Sequence, residues 1–355
     1  MGTLSTLLGI GQSLWLENTT REHLQSGSLL QHIQEGSITG ASINPLACSR
    51  AVRTTEVYDK AIRKKLAAGL FGEPLALELL LEDARHAADL LRPVYDRTDG
   101  VDGWVALAVF PPPMSDTPAA VTAVAIMCAK ARRPNILITL PGLPDWLGAI
   151  EEVMYSGVPV NIALLFSGEQ FLSAAQACLR AIERRIAAGL KPAVASFASV
   201  SISRLATALS VDFRRTVVAA ARRIYKISRD LHNSREWGRA YNAGARPLRL
   251  VWRMETNPEG EQSHDWLVHD LLAPLTVTAI PAAVLQAIAG SGLPGEPMPV
   301  DGGDCERILS GYSKGSIDFN TFAVELQKTE MAALTSSWIE LLDAVASKSA
   351  CVTKR

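Results

Sequence analysis

An excess of charge of either sign is missing from this 355-residue chain: 35 lysines and arginines face 36 acidic residues, a formal net charge of −1 with histidine neutral. A surface without surplus cation has nothing to draw in nucleic acid or an anionic membrane, so neither is expected as a partner. Cysteine is sparse. The five residues at 48, 128, 178, 305 and 351 are odd in number and form no CxxC pair. That argues against a disulfide framework and against a cysteine zinc site, and for reduced thiols in a cytoplasmic protein. No apolar run approaches the roughly 20 residues that a membrane-spanning helix needs. The N-terminal stretch MGTLSTLLGIGQSLWLENTT has no basic start and meets Gly and Gln early, so it is not expected to act as a signal peptide. The six histidines (23, 32, 86, 232, 264 and 269) do not cluster at metal-ligand spacing. His264 and His269, in SHDWLVHD, are read as surface helix positions, and no metal is expected.

What is present is apolar. The hydrophobic fraction is 48% against 20% charged, enough for a substantial core. The length suits one large domain or two small ones. Eight short apolar runs recur: SLWLEN (13–18), ITGASIN (38–44), GWVALAV (103–109), NILITLP (135–141), VNIALLF (160–166), AVASFAS (193–199), LRLVWRM (248–254) and LTVTAIP (275–281). Most are continuous rather than alternating, as in strands of a parallel sheet covered on both faces. Between them the pattern turns helical. Residues 79–92 put Leu80, Ala84, Ala87, Ala88 and Leu91 on one stripe. Residues 167–188 open with Ser167 as N-cap and Gln170 three residues on. Residues 205–231 and 318–347 read as two further long helices. This alternation predicts an α/β fold, a single (β/α)8 TIM barrel with additional helices; a doubly wound open sheet is the alternative.

No internal repeat or low-complexity tract interrupts the chain. Gly and Pro concentrate in SGLPGEPMPVDGGD (291–304), which divides an expected barrel of residues 1–290 from a linker loop and C-terminal helical extension of residues 291–355, packed on the barrel. GSGLPGEPM (290–298) lacks the GxGxxG spacing of a nucleotide cradle. The arginine pairs of FRRTVVAAARRIYK (213–226) are read as a solvated helix face.

Several stretches, in order along the chain, resemble the transaldolase family in its longer bacterial form. They are GQSLWLENTTRE (11–22), ITGASINP (38–45), EDARHAADLLRPVYDRTDGVDGWVALAV (82–109), RRPNILITLPGL (132–143), SGVPVNIALLFS (156–167), VASFASVSISRL (194–205) and LLAPLTVTAIPAAVL (271–285). The resemblance spans nearly the whole chain and implies a transaldolase-like barrel. It also implies a site: a lysine ending the fourth strand that forms a Schiff base with a ketose phosphate, an aspartate on the first strand and a glutamate on the third as proton carriers, and a threonine on the fifth that holds a water. Asparagines and a serine would hold hydroxyls, and arginine the phosphate.

Matched position by position, the site departs from that pattern. Thr139 stands where the resemblance implies the lysine, and a hydroxyl cannot form an iminium. The lysines lie at 60, 64, 65, 130, 191, 226, 314, 328, 348 and 354, none at the C-terminal end of an expected strand, where barrel chemistry sits. Ala108 replaces the glutamate and Ala163 the threonine; Glu17 keeps a carboxylate for the aspartate, one methylene longer, as a candidate acid or base. Asn44 and Asn161 match substrate-holding asparagines, with bonding to each other or to backbone as the structural alternative. Ser199 and Arg204 match the serine and the phosphate-binding arginine; a salt bridge from Arg204 to Glu17 or another loop acid is its alternative. VWRMETNP (251–258) offers Arg253 as a second phosphate contact and Glu255 as a new acid. Phe110 and Leu143 stand where Ser and Thr are usual, so with Ala108 and Ala163 the pocket walls lose polar groups.

The first expectation is therefore an enzyme, a transferase or lyase without Schiff-base chemistry. It would act on a phosphate or diphosphate ester, a modified sugar phosphate or a less polar substrate such as a prenyl diphosphate, in specialised metabolism. The second is a non-catalytic pseudoenzyme that binds a phosphorylated metabolite. The third is a transaldolase of the pentose phosphate pathway with altered residues. No cofactor is expected, and Mg only if the substrate is a diphosphate. The expected partner is a phosphorylated small molecule, and the expected assembly a monomer or homodimer.

Overall fold

The structure is a computed structural model that describes residues 7–108, 117–209, 213–255, 266–289, 295–312 and 317–353. Eight strands, β1 (Ser13–Leu16), β2 (Gly40–Ile43), β3 (Trp104–Ala108), β4 (Ile136–Pro141), β5 (Val160–Leu165), β6 (Ser196–Ser201), β7 (Arg249–Arg253) and β8 (Val277–Ile280), form a closed barrel in sequence order. All the registered pairs are parallel. Helices separate consecutive strands, which makes this a (β/α)8 barrel. The continuous apolar runs account for the strands, and every residue of β4 and β5 is buried.

Several boundaries differ from the sequence pattern, two of them for visible reasons. β6 starts at Ser196 rather than Ala193, because the Val194 N–H turns back to the Pro192 carbonyl at 2.8 Å instead of joining the ladder. Ser199 therefore sits inside the strand. The long helix expected over 205–231 is two helices, Ile202–Ala208 and Phe213–His232, since Leu209 leaves the first with extended backbone (φ −88°, ψ 127°). Phe110, His264 and Lys314 lie outside the described residues.

The chain divides into two compact units. One comprises Trp15–Thr139 with Ala332–Arg355. Here Gly40 pairs with Trp15 and Trp104, and a Cβ at Gly40 would stand 2.3 Å from Trp15 Nε1, so only glycine lets that indole lie against β2. The buried Asn135 donates its amide to the carbonyls of Ala88 (2.9 Å) and Gly103 (2.8 Å), tying the start of β4 to the helix Gly72–Arg97 and to the start of β3. The segment after β1 is anchored by a buried polar network. Arg21 Nε donates to Asp83 Oδ1 and Tyr58 Oη to Asp83 Oδ2, each at 2.7 Å, with the guanidinium 4.6 Å above the Tyr58 ring centroid.

The other unit comprises Met1–Leu14 with Leu140–Met331 and holds β5 to β8. The Ser13 N–H reaches the Thr276 carbonyl at 2.9 Å. The helix Gly168–Ala187 opens with the expected capping box: Ser167 Oγ accepts from the Gln170 N–H at 3.3 Å, and Gln170 Oε1 accepts from the Ser167 N–H at 3.2 Å.

The Arg21–Asp83 pair is 7% and 2% exposed, so truncating one partner strands a buried charge. Asp83→Ala is expected to destabilise the protein by about 3–5 kcal/mol, read from urea unfolding. A loss below about 1 kcal/mol would show that the network is dispensable.

Candidate active site

The residues matched by resemblance lie within strands or shortly after them and divide between the two units. In the unit holding β1 to β3, Glu17 follows β1 directly and is 2% exposed. Ser42 Oγ donates to Glu17 Oε2 at 2.6 Å. Ser42 Oγ in turn accepts from the Asn18 N–H at 3.2 Å, and the Ser42 carbonyl accepts from the Thr19 N–H at 2.8 Å. Asn18 adopts left-handed backbone (φ 58°), which turns its side chain to meet Asn44: Asn44 Nδ2 donates to Asn18 Oδ1 at 2.7 Å. Asn44 Oδ1 accepts from the Ala47 N–H at 2.9 Å and so caps the helix Pro45–Thr54. Thr139 pairs in register with Ala108 and is 3% exposed.

In the other unit Asn161 and Ser199, both buried, meet directly: Ser199 Oγ donates to Asn161 Oδ1 at 2.7 Å. Ala163 precedes an irregular step. Leu164 has φ 61° inside β5, and the β5–β6 register shifts between Ile162 and Leu165. Left-handed backbone at a leucine carries strain, held here by its surroundings. Gln327, on the C-terminal helix Phe319–Thr353, donates to the Leu164 carbonyl at 2.8 Å and to the Gly142 carbonyl at 2.9 Å.

Arg204 stands on the short helix after β6, and Arg253 ends β7. Glu255 joins them. Arg204 Nε forms a short ion pair with Glu255 Oε2, and Arg253 Nη2 lies 3.2 Å from Glu255 Oε1. The Glu255 N–H donates to Ser203 Oγ at 2.8 Å. Glu330, on the C-terminal helix, lies 3.5 Å from Arg204 Nε. Burial works against the Arg204 charge, but Glu255 and Glu330 outweigh it and hold the guanidinium above its usual value. Burial likewise pushes the Glu255 carboxyl up, yet Arg253 and Arg204 more than offset this and leave it below the usual carboxylate value. At Glu330 burial prevails over Arg204, with Glu255 adding to it, and the carboxyl is raised.

The structure thus joins Asn161 to Ser199, and Arg204 to Arg253 through Glu255, the acid that the sequence suggested as new. Sequence reasoning missed Ser42, Gln327 and Glu330. The last two had a signal: with Ala323 they recur at i, i+4 and i+7 and so share one helix face, where a buried polar residue invites explanation. A cavity of about 400 Å³ lies at the far end of the helix Pro45–Thr54 from Asn44, among Val52, Arg53, Asp59, Lys348 and Cys351. Among the described residues no three His, Cys, Asp or Glu side chains come together as metal ligands would, and no helix is long and apolar enough to cross a membrane.

The sequence profile described as "Transaldolase/Fructose-6-phosphate aldolase" matches residues 14–345. The chain belongs to the transaldolase family. It is 31% identical to "Transaldolase" of Thermobifida fusca (strain YX), with 99% of each chain covered. Against "Transaldolase" of Parafrankia sp. (strain EAN1pec) the identity is 28%, with 96% of each covered. Against "Transaldolase 2" of Nostoc punctiforme it is 30%, with 79% of each covered. The family is one of enzymes, transferases acting on sugar phosphates. These relatives overturn the first sequence expectation. A non-canonical enzyme of specialised metabolism, acting on a diphosphate or prenyl ester, finds no counterpart among proteins that match almost end to end and carry the name Transaldolase. The altered pocket residues weighed too heavily against likeness along the whole chain, which supports the third expectation instead.

Because the Glu255 value is depressed in the fold, its charge contributes stability at neutral pH that disappears as pH falls through the lowered value. Glu255→Gln is therefore expected to be less stable than the parent at pH 7, with the gap closing below the ordinary carboxyl value of 4.5. Thermal melts across pH 3–7 read this out, and a gap that stays constant to pH 3 would exclude the carboxylate charge as its cause.

Proposed function

We propose that this chain is a transaldolase-type transferase of the pentose phosphate pathway, acting on phosphorylated sugars with several site positions altered. The observation that carries this reading is the family match over residues 14–345, together with relatives named Transaldolase that align over almost their whole length. In this reading Asn44, Asn161 and Ser199 hold sugar hydroxyls, and Arg204 and Arg253 take the phosphate. Glu17 is the acid or base, its carboxylate oriented by the Ser42 hydroxyl at 2.6 Å. Thr139 stands at the position matched to the Schiff-base lysine and supplies no amine there, so transfer runs without an iminium. Glu17 takes the proton of the hydroxyl beyond the C–C bond that breaks, and the bond's electron pair goes to the donor carbonyl as an enediolate. The aldose phosphate leaves, the enediolate adds to the acceptor aldehyde, and the new alkoxide takes its proton back from Glu17. The reading calls for no cofactor.

The test combines three measurements. A ketose phosphate should raise the melting temperature. Incubated with an aldose phosphate acceptor, it should give a transferred product by mass spectrometry. Borohydride should leave no adduct on the parent chain, whereas Thr139→Lys should gain a reduced adduct on the peptide carrying residue 139. Stabilisation without any transfer would overturn the transferase reading. An adduct on the parent chain would overturn the role given to Thr139.

A further inference from the structure

Resting on the phosphate contacts of that reading, the ion network at the ends of β6 and β7 has a consequence for specificity. Arg204 and Arg253 carry two positive charges, and Glu255 and Glu330 bring two carboxylates to them. A phosphate arriving there meets cations already engaged, and two negative charges that repel it. The carboxylates differ in how firmly they are held. Glue-like anchoring belongs to Glu255: it pairs with both arginines, and its own N–H is fixed to Ser203 Oγ at 2.8 Å. Glu330 makes one looser contact, 3.5 Å from Arg204 Nε, from a side chain 16% exposed on a separate helix.

We propose that Glu330 sets an affinity threshold at this subsite, a resident carboxylate that an incoming phosphate must displace from Arg204. A singly charged carboxylate ligand would exchange one such contact for another and gain little. A dianionic phosphate, with three acceptor oxygens for the guanidinium fork, gains both charge and hydrogen bonds. Displacing Glu330 weakens both kinds of ligand, and only the phosphate, with its larger gain at the guanidinium, still binds.

The test is isothermal titration of the full chain with inorganic phosphate and, separately, with a monocarboxylate sugar acid at the same ionic strength. Glu330→Gln keeps the shape and removes the charge. It is expected to bind phosphate about tenfold tighter than the parent, and to bind the sugar acid that the parent does not. Arg204→Gln in either background should abolish phosphate binding, which locates the effect at that guanidinium. Circular dichroism of each variant establishes that the fold is kept. Should the parent bind phosphate and Glu330→Gln bind it no tighter, the displacement proposal fails and the phosphate contacts stand. Should neither parent nor variant bind phosphate, both fail together.

Discussion

The buried amide of Gln327 fixes the chemistry at the ends of β4 and β5. Leu164 takes left-handed backbone inside β5, and its carbonyl is thereby turned out of the ladder. A buried carbonyl without a donor is costly, and so is the Gly142 carbonyl just past β4. One Gln327 amide group, 3% exposed, donates to both. That sets the rotation of the first turns of the C-terminal helix. Three residues on, the same face presents Glu330 to Arg204. A local irregularity in one strand thus decides which acid reaches an arginine that follows another strand.

The same seating explains how opposed charges are held together after β6 and β7. Arg204 stays protonated despite burial because Glu255 and Glu330 surround it, and Glu255 stays ionised because both arginines face it. Each charge is tolerable only through the others, as expected for ions taken partly out of water. On the other side of the chain's division, Arg21, Asp83 and Tyr58 do for the β1 loop what this network does for β6 and β7. In both places polar atoms hold the segment that follows a strand.

How much of this could be read in the sequence depends on the range of the interaction. All eight strands were legible from continuous apolar runs, since burial on both faces leaves that mark. The Ser167–Gln170 capping box was legible because its partners are three residues apart. The helix Gly72–Arg97 was only partly legible: its stripe reads up to Arg92, and Pro93, which ordinarily interrupts a helix, lies inside it. Glu330 could not be assigned to Arg204, because that contact exists only once the C-terminal helix is seated by Gln327. Nor could Asn18 be foreseen as the partner of Asn44, since it follows from a left-handed residue that sequence does not mark. Function suffered a different error. Thr139, Ala108 and Ala163 together argued against family chemistry, while the likeness spread over the whole chain carried more information about the family than those few positions.

Asn44 serves two masters. The resemblance assigns it to a substrate hydroxyl, yet its side-chain oxygen already receives the Ala47 N–H that opens the helix Pro45–Thr54. Divergence at this position is therefore policed by helix chemistry before it is policed by any ligand. Only short side chains with an acceptor, such as Asp or Ser, can take over the cap. An asparagine at this position says as much about where a helix begins as about what the barrel holds.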